Sequence, residues 1–217
     1  MKTTFLSVLA LILSFCTYEF TFAHCDTMDG PVIADAKKAI EQNNVNYILK
    51  WVSVENEQKI KTAFDVAMKV RKSNPASTES TDRYLFETLV RLHRNGEGVE
   101  YTGIKPSGTP IDEKIRAADK SIELGNLSPL EKLVPNVVLP ELKERFDRVM
   151  SLKNFDVNDV KAGREYVKAY VQFFHFAEGE RAHGHEQREH LGHLPWIILG
   201  IISIVLLTLG ILYSRNK

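Results

Sequence analysis

Three consecutive residues near the start of the chain, His24, Cys25 and Asp26, place an imidazole, a thiol and a carboxylate next to one another. Residues 1–23 have the features of a secretory signal peptide: a lysine at position 2, an apolar segment over residues 5–15 and a small-x-small end at Ala23. Cleavage after Ala23 would give His24 a free α-amine. An amine, an imidazole, a thiolate and a carboxylate can together surround a transition metal. We therefore predict a metal site created by processing, with Asp29 as a further candidate ligand.

The number of cysteines limits the roles that are open to Cys25. Cys16 lies inside the signal peptide, so Cys25 is the only cysteine after cleavage and no intramolecular disulfide can form. A lone thiol in an oxidising compartment is a liability unless it is buried, paired between chains or bound to metal. Metal binding and burial of Cys25 both remain open at this stage.

Two further histidines, His93 and His175, occupy the ends of apolar stripes on two long helical segments. Inward-facing histidines on facing helices are one way in which bundles assemble metal sites. The open alternative is a pair of core histidines that are each bonded to a carboxylate or a carbonyl. Glu87 and Glu178 lie close enough along the chain to orient these histidines through hydrogen bonds.

The C-terminal part of the chain carries a membrane signal. Residues 195–213 form an uncharged apolar run that is long enough to span a bilayer as a helix, and basic residues follow it at 214–217. We predict a periplasmic or extracellular protein anchored in the cell membrane, with residues 214–217 in the cytoplasm. The polar stretch 179–194 is then a stalk, and it could also bind divalent metal weakly through its histidines. These are His183, His185, His190 and His193.

The elements that must position the candidate ligands are helical, because apolar residues recur every three or four positions and no strand-like alternation is found. At an offset of 82 residues, Ile33–His93 aligns without gaps onto Ile115–His175, and the patterns Phe-Asp-x-x-Met and Tyr-x8-His recur. We predict an all-α helical bundle over residues 24–178. It is built from two tandem three-helix repeats, 31–96 and 111–178, joined by a linker at 97–110. A unit this small cannot bury its apolar face alone, so the repeats should pack together.

Charge and motif content exclude several classes of function. The chain has 28 basic and 28 acidic residues and no net charge, which is not the pattern of a nucleic-acid-binding protein. Walker loops and the motifs Gly-x-Ser-x-Gly, His-Glu-x-x-His and Cys-x-x-Cys do not occur in the sequence. Nucleotide chemistry and the common hydrolase mechanisms therefore have no support.

Several segments resemble a family of small secreted bacterial proteins with no assigned function. They are HCDTMDGPV at residues 24–32, FETLVRLHR at 86–94 and the glycine-containing stretch at 96–103. The resemblance implies export and a shared helical fold, and it names no activity. The C-terminal membrane segment is an addition that the usual member of that family lacks.

The start of the mature chain is also similar to nickel superoxide dismutase, an all-α bundle that begins His-Cys-Asp-x-Pro-Cys-Gly after processing. The matching positions are His24, Cys25, Asp26 and Gly30. The resemblance implies a metal held by the terminal amine, the histidine ring, the next backbone amide and thiolate sulfur. Asp29 stands where that family has its second cysteine, and Met28 stands at its proline. Loss of one thiolate favours copper or simple metal storage over nickel redox chemistry.

These observations lead to one main expectation and two alternatives. The main expectation is a membrane-anchored, extracytoplasmic metal-binding protein that acts as a carrier or sensor of a transition metal, with nickel or copper as the ion. The first alternative is a nickel- or copper-dependent redox enzyme similar to superoxide dismutase. The second is a metal-free helical interaction module. The membrane and the metal ion are the expected partners, and the sequence identifies no protein partner.

Overall fold

The computed structural model describes residues 24–179, and eight α-helices and no β-strand occur in this range. The helices of the first half are α1 (Pro31–Gln42), α2 (Asn46–Leu49), α3 (Glu57–Ser73) and α4 (Thr78–Gly96). Those of the second half are α5 (Glu113–Leu124), α6 (Ser128–Glu131), α7 (Leu139–Leu152) and α8 (Val160–Glu178). The prediction of an all-α fold is confirmed for the described residues.

Each helix of the second half begins 82 residues after a helix of the first half, as Pro31 and Glu113 illustrate for α1 and α5. The ends of these two helices also correspond. Asn43 follows α1 and Gly125 follows α5, and both adopt the left-handed conformation, with φ angles of 48° and 72°. This conformation commonly terminates helices. The offset found in the sequence thus also relates the positions of the helices.

The two halves share one continuous hydrophobic core. Within the halves α3 packs on α4 and α7 packs on α8, while α1 contacts α4 and α5 contacts α8. The largest fully buried side chains come from both halves, among them Ile33, Ile60, Leu89, Leu142 and Phe173. Helices that are apolar along one face must bury that face against another element, and the buried apolar residues of the two halves form one cluster.

Polar contacts also join the halves. The Arg164 guanidinium on α8 donates hydrogen bonds to the backbone carbonyls of Leu49 and Val52, and it forms an ion pair with Glu57 at 2.7 Å. Leu49 is the last residue of α2, and Val52 lies in the turn that follows it. Arg164 therefore satisfies carbonyl groups of the first half from the second half.

The segment before α1 is held by the linker between the halves. The Lys105 amide donates to the Asp26 carbonyl at 2.8 Å, and the Met28 amide donates to the Lys105 carbonyl at 2.9 Å. Gly30 lets the chain fold back closely, since a Cβ atom at this position would lie 2.1 Å from the His24 carbonyl oxygen. These contacts place the short 3₁₀ turn His24–Asp26 against the bundle.

Several predicted segments lie outside the described residues. They are the signal peptide 1–23, the stalk beyond Gly179 with its histidines His183, His185, His190 and His193, the membrane helix 195–213 and the tail 214–217. None of the helices within residues 24–179 is both long and apolar enough to cross a bilayer.

Candidate functional site

The 3₁₀ turn formed by His24, Cys25 and Asp26 is buried between the two halves. The exposed fractions of these residues are only 5 %, 5 % and 3 %. His24 contacts α8 and the α5 residue Asp119, whereas Asp26 lies beside Arg94 on α4. The structure therefore brings the three candidate ligands to the junction of the two halves.

The ring of His24 is fixed by hydrogen bonds to the second half. Its Nε2 atom lies 2.9 Å from the Tyr170 hydroxyl oxygen and 3.3 Å from Asp119 Oδ2, and its ring stacks on Phe174 at 4.9 Å. The Tyr170 hydroxyl donates its proton to Asp119 Oδ1 at 2.9 Å. Since that hydroxyl has only one proton, Nε2 of His24 must be the donor to its oxygen. In neutral His24 the lone pair is consequently on Nδ1.

Cys25 has a buried thiol that is held in the neutral form. Burial raises the pKa of this thiol well above its ordinary value of 9.0, the Glu97 carboxylate raises it further, and the Arg94 guanidinium opposes the increase. A neutral buried thiol is a poor nucleophile and resists oxidation. A metal ion that binds Cys25 would have to displace the thiol proton.

Asp26 is a buried carboxyl group whose hydrogen bonding is incomplete. Its Oδ2 atom lies 3.7 Å from Arg94 Nε, and its Oδ1 atom has no hydrogen-bond partner within the described part of the chain. Burial raises the pKa of Asp26, although the nearby Arg94 charge opposes that increase. The environment therefore favours a proton or a cation on this carboxyl group.

His93 is also buried, and the charges of Glu97, Arg94 and Asp26 act on its ring. Its Nδ1 atom lies 3.0 Å from the Trp51 carbonyl oxygen, and because a carbonyl can only accept, Nδ1 carries the proton. Its Nε2 atom lies 3.4 Å from Glu97 Oε1 and makes no hydrogen bond within residues 24–179. Burial lowers the pKa of His93, so the neutral ring with a lone pair on Nε2 is favoured.

Four residues that the sequence did not single out complete this environment: Trp51, Glu97, Asp119 and Tyr170. Arg94 also belongs to this environment, because it is only 5 % exposed and contacts Glu97 and Asp26. Tyr170 could have been suspected from the sequence, because a tyrosine within an apolar stripe needs a partner for its hydroxyl. The sequence contains no comparable signal for Asp119, because its role depends on the packing of α5 against α8.

The other candidates occupy different surroundings. The side chain of His175 is 40 % exposed, and its Nδ1 atom lies 3.6 Å from Glu178 Oε2 at the end of α8. Glu87 forms an exposed ion pair with Arg83 at 2.9 Å. His93 is therefore oriented by the Trp51 carbonyl rather than by Glu87.

Asp29 lies outside the buried turn and fixes the linker. Its carboxylate accepts hydrogen bonds from the Ser107 hydroxyl at 2.5 Å and from the Gly108 amide at 2.7 Å. These two hydrogen bonds, with that from Ser107 the more important, lower the pKa of Asp29. The geometry thus gives Asp29 a role in holding the segment against which the turn is folded.

Within residues 24–179 no group of three or more His, Cys, Asp or Glu side chains is arranged to hold a metal ion. This finding concerns side chains alone. The α-amine that processing would create at His24, and the backbone amide of Cys25, are additional potential ligands.

The helical bundle is the part of the chain that matches a known protein family. Neither a curated protein nor a solved structure matches the chain significantly. A family model described as a family of unknown function (DUF6448) matches residues 29–176. The matched range contains α1–α8 except the last residues of α8, and it begins after His24, Cys25 and Asp26. The expectation of an uncharacterised family is confirmed, and the chain belongs to the DUF6448 family of unknown function.

Proposed function

We propose that this protein is an exported, membrane-anchored metal-binding protein, built from two copies of a four-helix unit, that holds nickel or copper at its processed N-terminus. The ligands are the α-amine and Nδ1 of His24 and the thiolate of Cys25. We propose that it acts as a carrier or sensor of the metal. Unlike a redox enzyme, a carrier or a sensor needs neither an open coordination position nor a change in the oxidation state of the metal.

The orientation of the His24 ring is the observation that supports this proposal. Tyr170 and Asp119 engage Nε2, and Nδ1 makes no hydrogen bond within the described residues. Nδ1 is the ring nitrogen nearer to the backbone, so it can close a small chelate ring with the α-amine of the same residue, whereas Nε2 is too distant. A histidine ligand usually donates its other ring N–H to a fixed acceptor, as His24 does here.

Cys25 would add the sulfur ligand that soft and borderline transition metals favour. Its buried environment has a cost, because the neutral thiol must lose its proton on binding. We therefore expect metal affinity to increase with pH. The same burial would protect the bound thiolate from oxidants in the extracytoplasmic space.

A metal-free helical interaction module is the second candidate. It is favoured by the raised pKa of Cys25 and by the finding that no three described side chains are arranged around a metal position. In that case His24, Cys25 and Asp26 would stabilise the junction of the two halves by packing and hydrogen bonding alone.

Metal titration of two versions of the full chain distinguishes these candidates. One version is processed so that His24 is the first residue, and the other carries one extra glycine before His24 and has the same side chains. We expect the processed version to bind one equivalent of Ni²⁺ or Cu²⁺ much more tightly. Equal affinity of the two versions would eliminate the terminal-amine site, and no binding by either would favour the metal-free module. Superoxide consumption by the loaded protein would test the redox alternative.

A further inference from the structure

An exposed apolar loop precedes α7 in the second half. Residues 133–140 have the sequence LVPNVVLP, in which Asn136 is the only polar residue, and none of the eight residues is buried. Val137 is 85 % exposed. Single exposed apolar side chains are common at protein surfaces, whereas a contiguous exposed run of them indicates an interaction surface.

The equivalent loop of the first half is polar. Residues 51–58, which lie 82 positions earlier, have the sequence WVSVENEQ, and each of the two loops contains one 3₁₀ turn. The last four residues of this loop, ENEQ, stand where the second half has VVLP. Trp51 and Val52 are buried, so Val54 is the one exposed apolar residue of this loop. A loop of this shape therefore does not require apolar residues, and those of the second half need another explanation.

The apolar loop lies at the end of α8 from which the chain continues. The helices α7 and α8 pack against each other. The ring of Phe146 lies 5.9 Å from that of Phe173, and the Arg145 guanidinium lies 4.7 Å from the ring of Phe176. Residue numbers fall along α7 as they rise along α8 in these contacts, so the two helices are antiparallel. The beginning of α7, and the loop before it, therefore lie beside the last turn of α8.

The polar loop lies near the other end of α8. Arg164, in the second turn of this helix, donates to the Val52 carbonyl at 2.9 Å and forms an ion pair with Glu57 at 2.7 Å. From Arg164 to Glu178 the helix rises by about 21 Å. The two equivalent loops thus lie at opposite ends of α8, and the apolar one is at the end that leads to the predicted membrane segment.

We propose that the loop 133–140 inserts shallowly into the surface of the bilayer that anchors the chain. This inference rests on the membrane anchor of the proposed function and is independent of the metal site. Fifteen residues, 180–194, lie between the described residues and the predicted membrane segment, and a chain of that length spans at most about 50 Å. Such a tether gives the loop a high local concentration at the bilayer, so that weak insertion is sufficient.

The charges that flank the loop compensate one another. Glu131 and Lys132 precede it, Glu141 and Lys143 follow it, and all four are exposed. Anionic lipid headgroups would therefore have no net attraction for this part of the surface. Insertion depends on the burial of apolar side chains, so it should change little with the salt concentration.

Fluorescence quenching in vesicles tests the inference on the processed full chain. The chain carries C25A, so that the labelled position is its one cysteine, and it is reconstituted in phosphatidylcholine vesicles with or without a nitroxide on the acyl chains. A nitrobenzoxadiazole label is attached at N136C or, as the matched control, at V54C, which is the equivalent position of the first half. The nitroxide should quench the N136C label at least about twofold, because insertion by about 5 to 10 Å brings the label to the acyl chains. The V54C label should change little, and equal quenching of the two labels would overturn the inference.

A substitution within the loop then tests its apolar character. V137E introduces the residue that stands at the equivalent position of the first half, and the 85 % exposure of Val137 means that the core is not disturbed. We expect V137E to abolish the quenching of the N136C label. Quenching that persisted in V137E would overturn the inference. So would an N136C label that emits as in an apolar environment without being quenched, because a protein surface would then cover the loop.

Flotation of the same vesicles separates this inference from the proposed function. A chain that floats with the vesicles and shows no quenching at N136C would overturn the insertion of the loop and leave the membrane anchor intact. A chain that does not float with the vesicles would reject the anchor, and the inference with it. We expect flotation with quenching.

Discussion

The ends of α4 and α8 occupy equivalent places in the two halves, yet their histidines differ. His93 is buried against Trp51, whereas the side chain of His175 is 40 % exposed. The residues around them differ as well: Leu133 stands 82 residues after Trp51, and Phe176 stands 82 residues after Arg94. The duplicated pattern thus determines where the helices lie. Residues outside the pattern determine the burial and the polar contacts of the histidine at the end of each helix.

The two halves also differ in the segment that precedes them, because a buried turn lies before the first half and an exposed linker segment lies at the equivalent place before the second. The residues 82 positions after His24, Cys25 and Asp26 are Pro106, Ser107 and Gly108 of the linker. That linker segment binds the Asp29 carboxylate and is exposed. Residues 24–26 thus form a buried polar turn. Ser107 and Gly108, in the equivalent segment, bind Asp29 and so hold the chain next to that turn.

The largest effect is expected where the turn approaches the backbone most closely. Gly30→Ala would place a Cβ atom 2.1 Å from the His24 carbonyl oxygen, so the turn must move. We expect the free energy of unfolding to fall by about 2 to 4 kcal/mol in urea titration. Gly96→Ala is the control, because nothing lies within 4 Å of a Cβ atom there. If the two variants were equally stable, the close packing of the turn would be refuted.

The two equivalent histidines should differ in their effect on stability. In metal-free protein, His93→Ala removes a buried ring and its hydrogen bond to the Trp51 carbonyl, and we expect a loss of about 2 to 3 kcal/mol. His175→Ala should change the free energy of unfolding by less than about 0.5 kcal/mol, as is usual for partly exposed positions. Losses of similar size in the two variants would contradict the difference in burial.

The hydrogen bond that fixes His24 can be tested at Tyr170. Tyr170→Phe removes the hydroxyl between His24 Nε2 and Asp119, and we expect a loss of about 1 to 2 kcal/mol in the same urea titration. Tyr166→Phe is a matched control on the same helix, because the Tyr166 hydroxyl makes no hydrogen bond within the described residues. The interpretation would fail if the control lost as much stability as Tyr170→Phe.

The smallest effect concerns stability at alkaline pH. The pKa of Cys25 is raised above 9.0 by burial, so between 9.0 and its folded value the unfolded chain has lost this proton and the folded chain has kept it. Stability that is present below pH 9 should therefore decrease as the pH increases further. Burial also raises the pKa of Tyr170, and that of Tyr166 to about 12, from an ordinary value of 10.0.

Cys25→Ala isolates the contribution of the thiol. We expect the decline in the free energy of unfolding of this variant to begin near pH 10 rather than near pH 9, because only the tyrosines remain. Urea titrations of metal-free protein at several pH values between 8 and about 11 would measure the difference. Identical pH profiles for wild type and variant would show that the Cys25 thiol is not buried in the folded protein.

Much of the fold could be predicted because it depends on local patterns. Helical spacing of apolar residues and the offset between Ile33 and Ile115 are both visible along the chain. The candidate site was predicted only in part. His24, Cys25 and Asp26 were identified by type and spacing, but Glu97, Tyr170 and Asp119 were not, because their relation to the turn spans many residues and two halves.

By itself the sequence determined the helical class, the spacing of the two halves and the chemical types gathered at His24, Cys25 and Asp26, since these follow from short-range periodicity and neighbouring residues. Only the tertiary structure decided that Nε2 of His24 is engaged and Nδ1 is available, that His93 is inside and His175 partly exposed, and that Arg94 is buried. The physical reason is that burial and hydrogen bonding arise where distant segments meet. Two equivalent residues acquire different chemistry once different segments cover them.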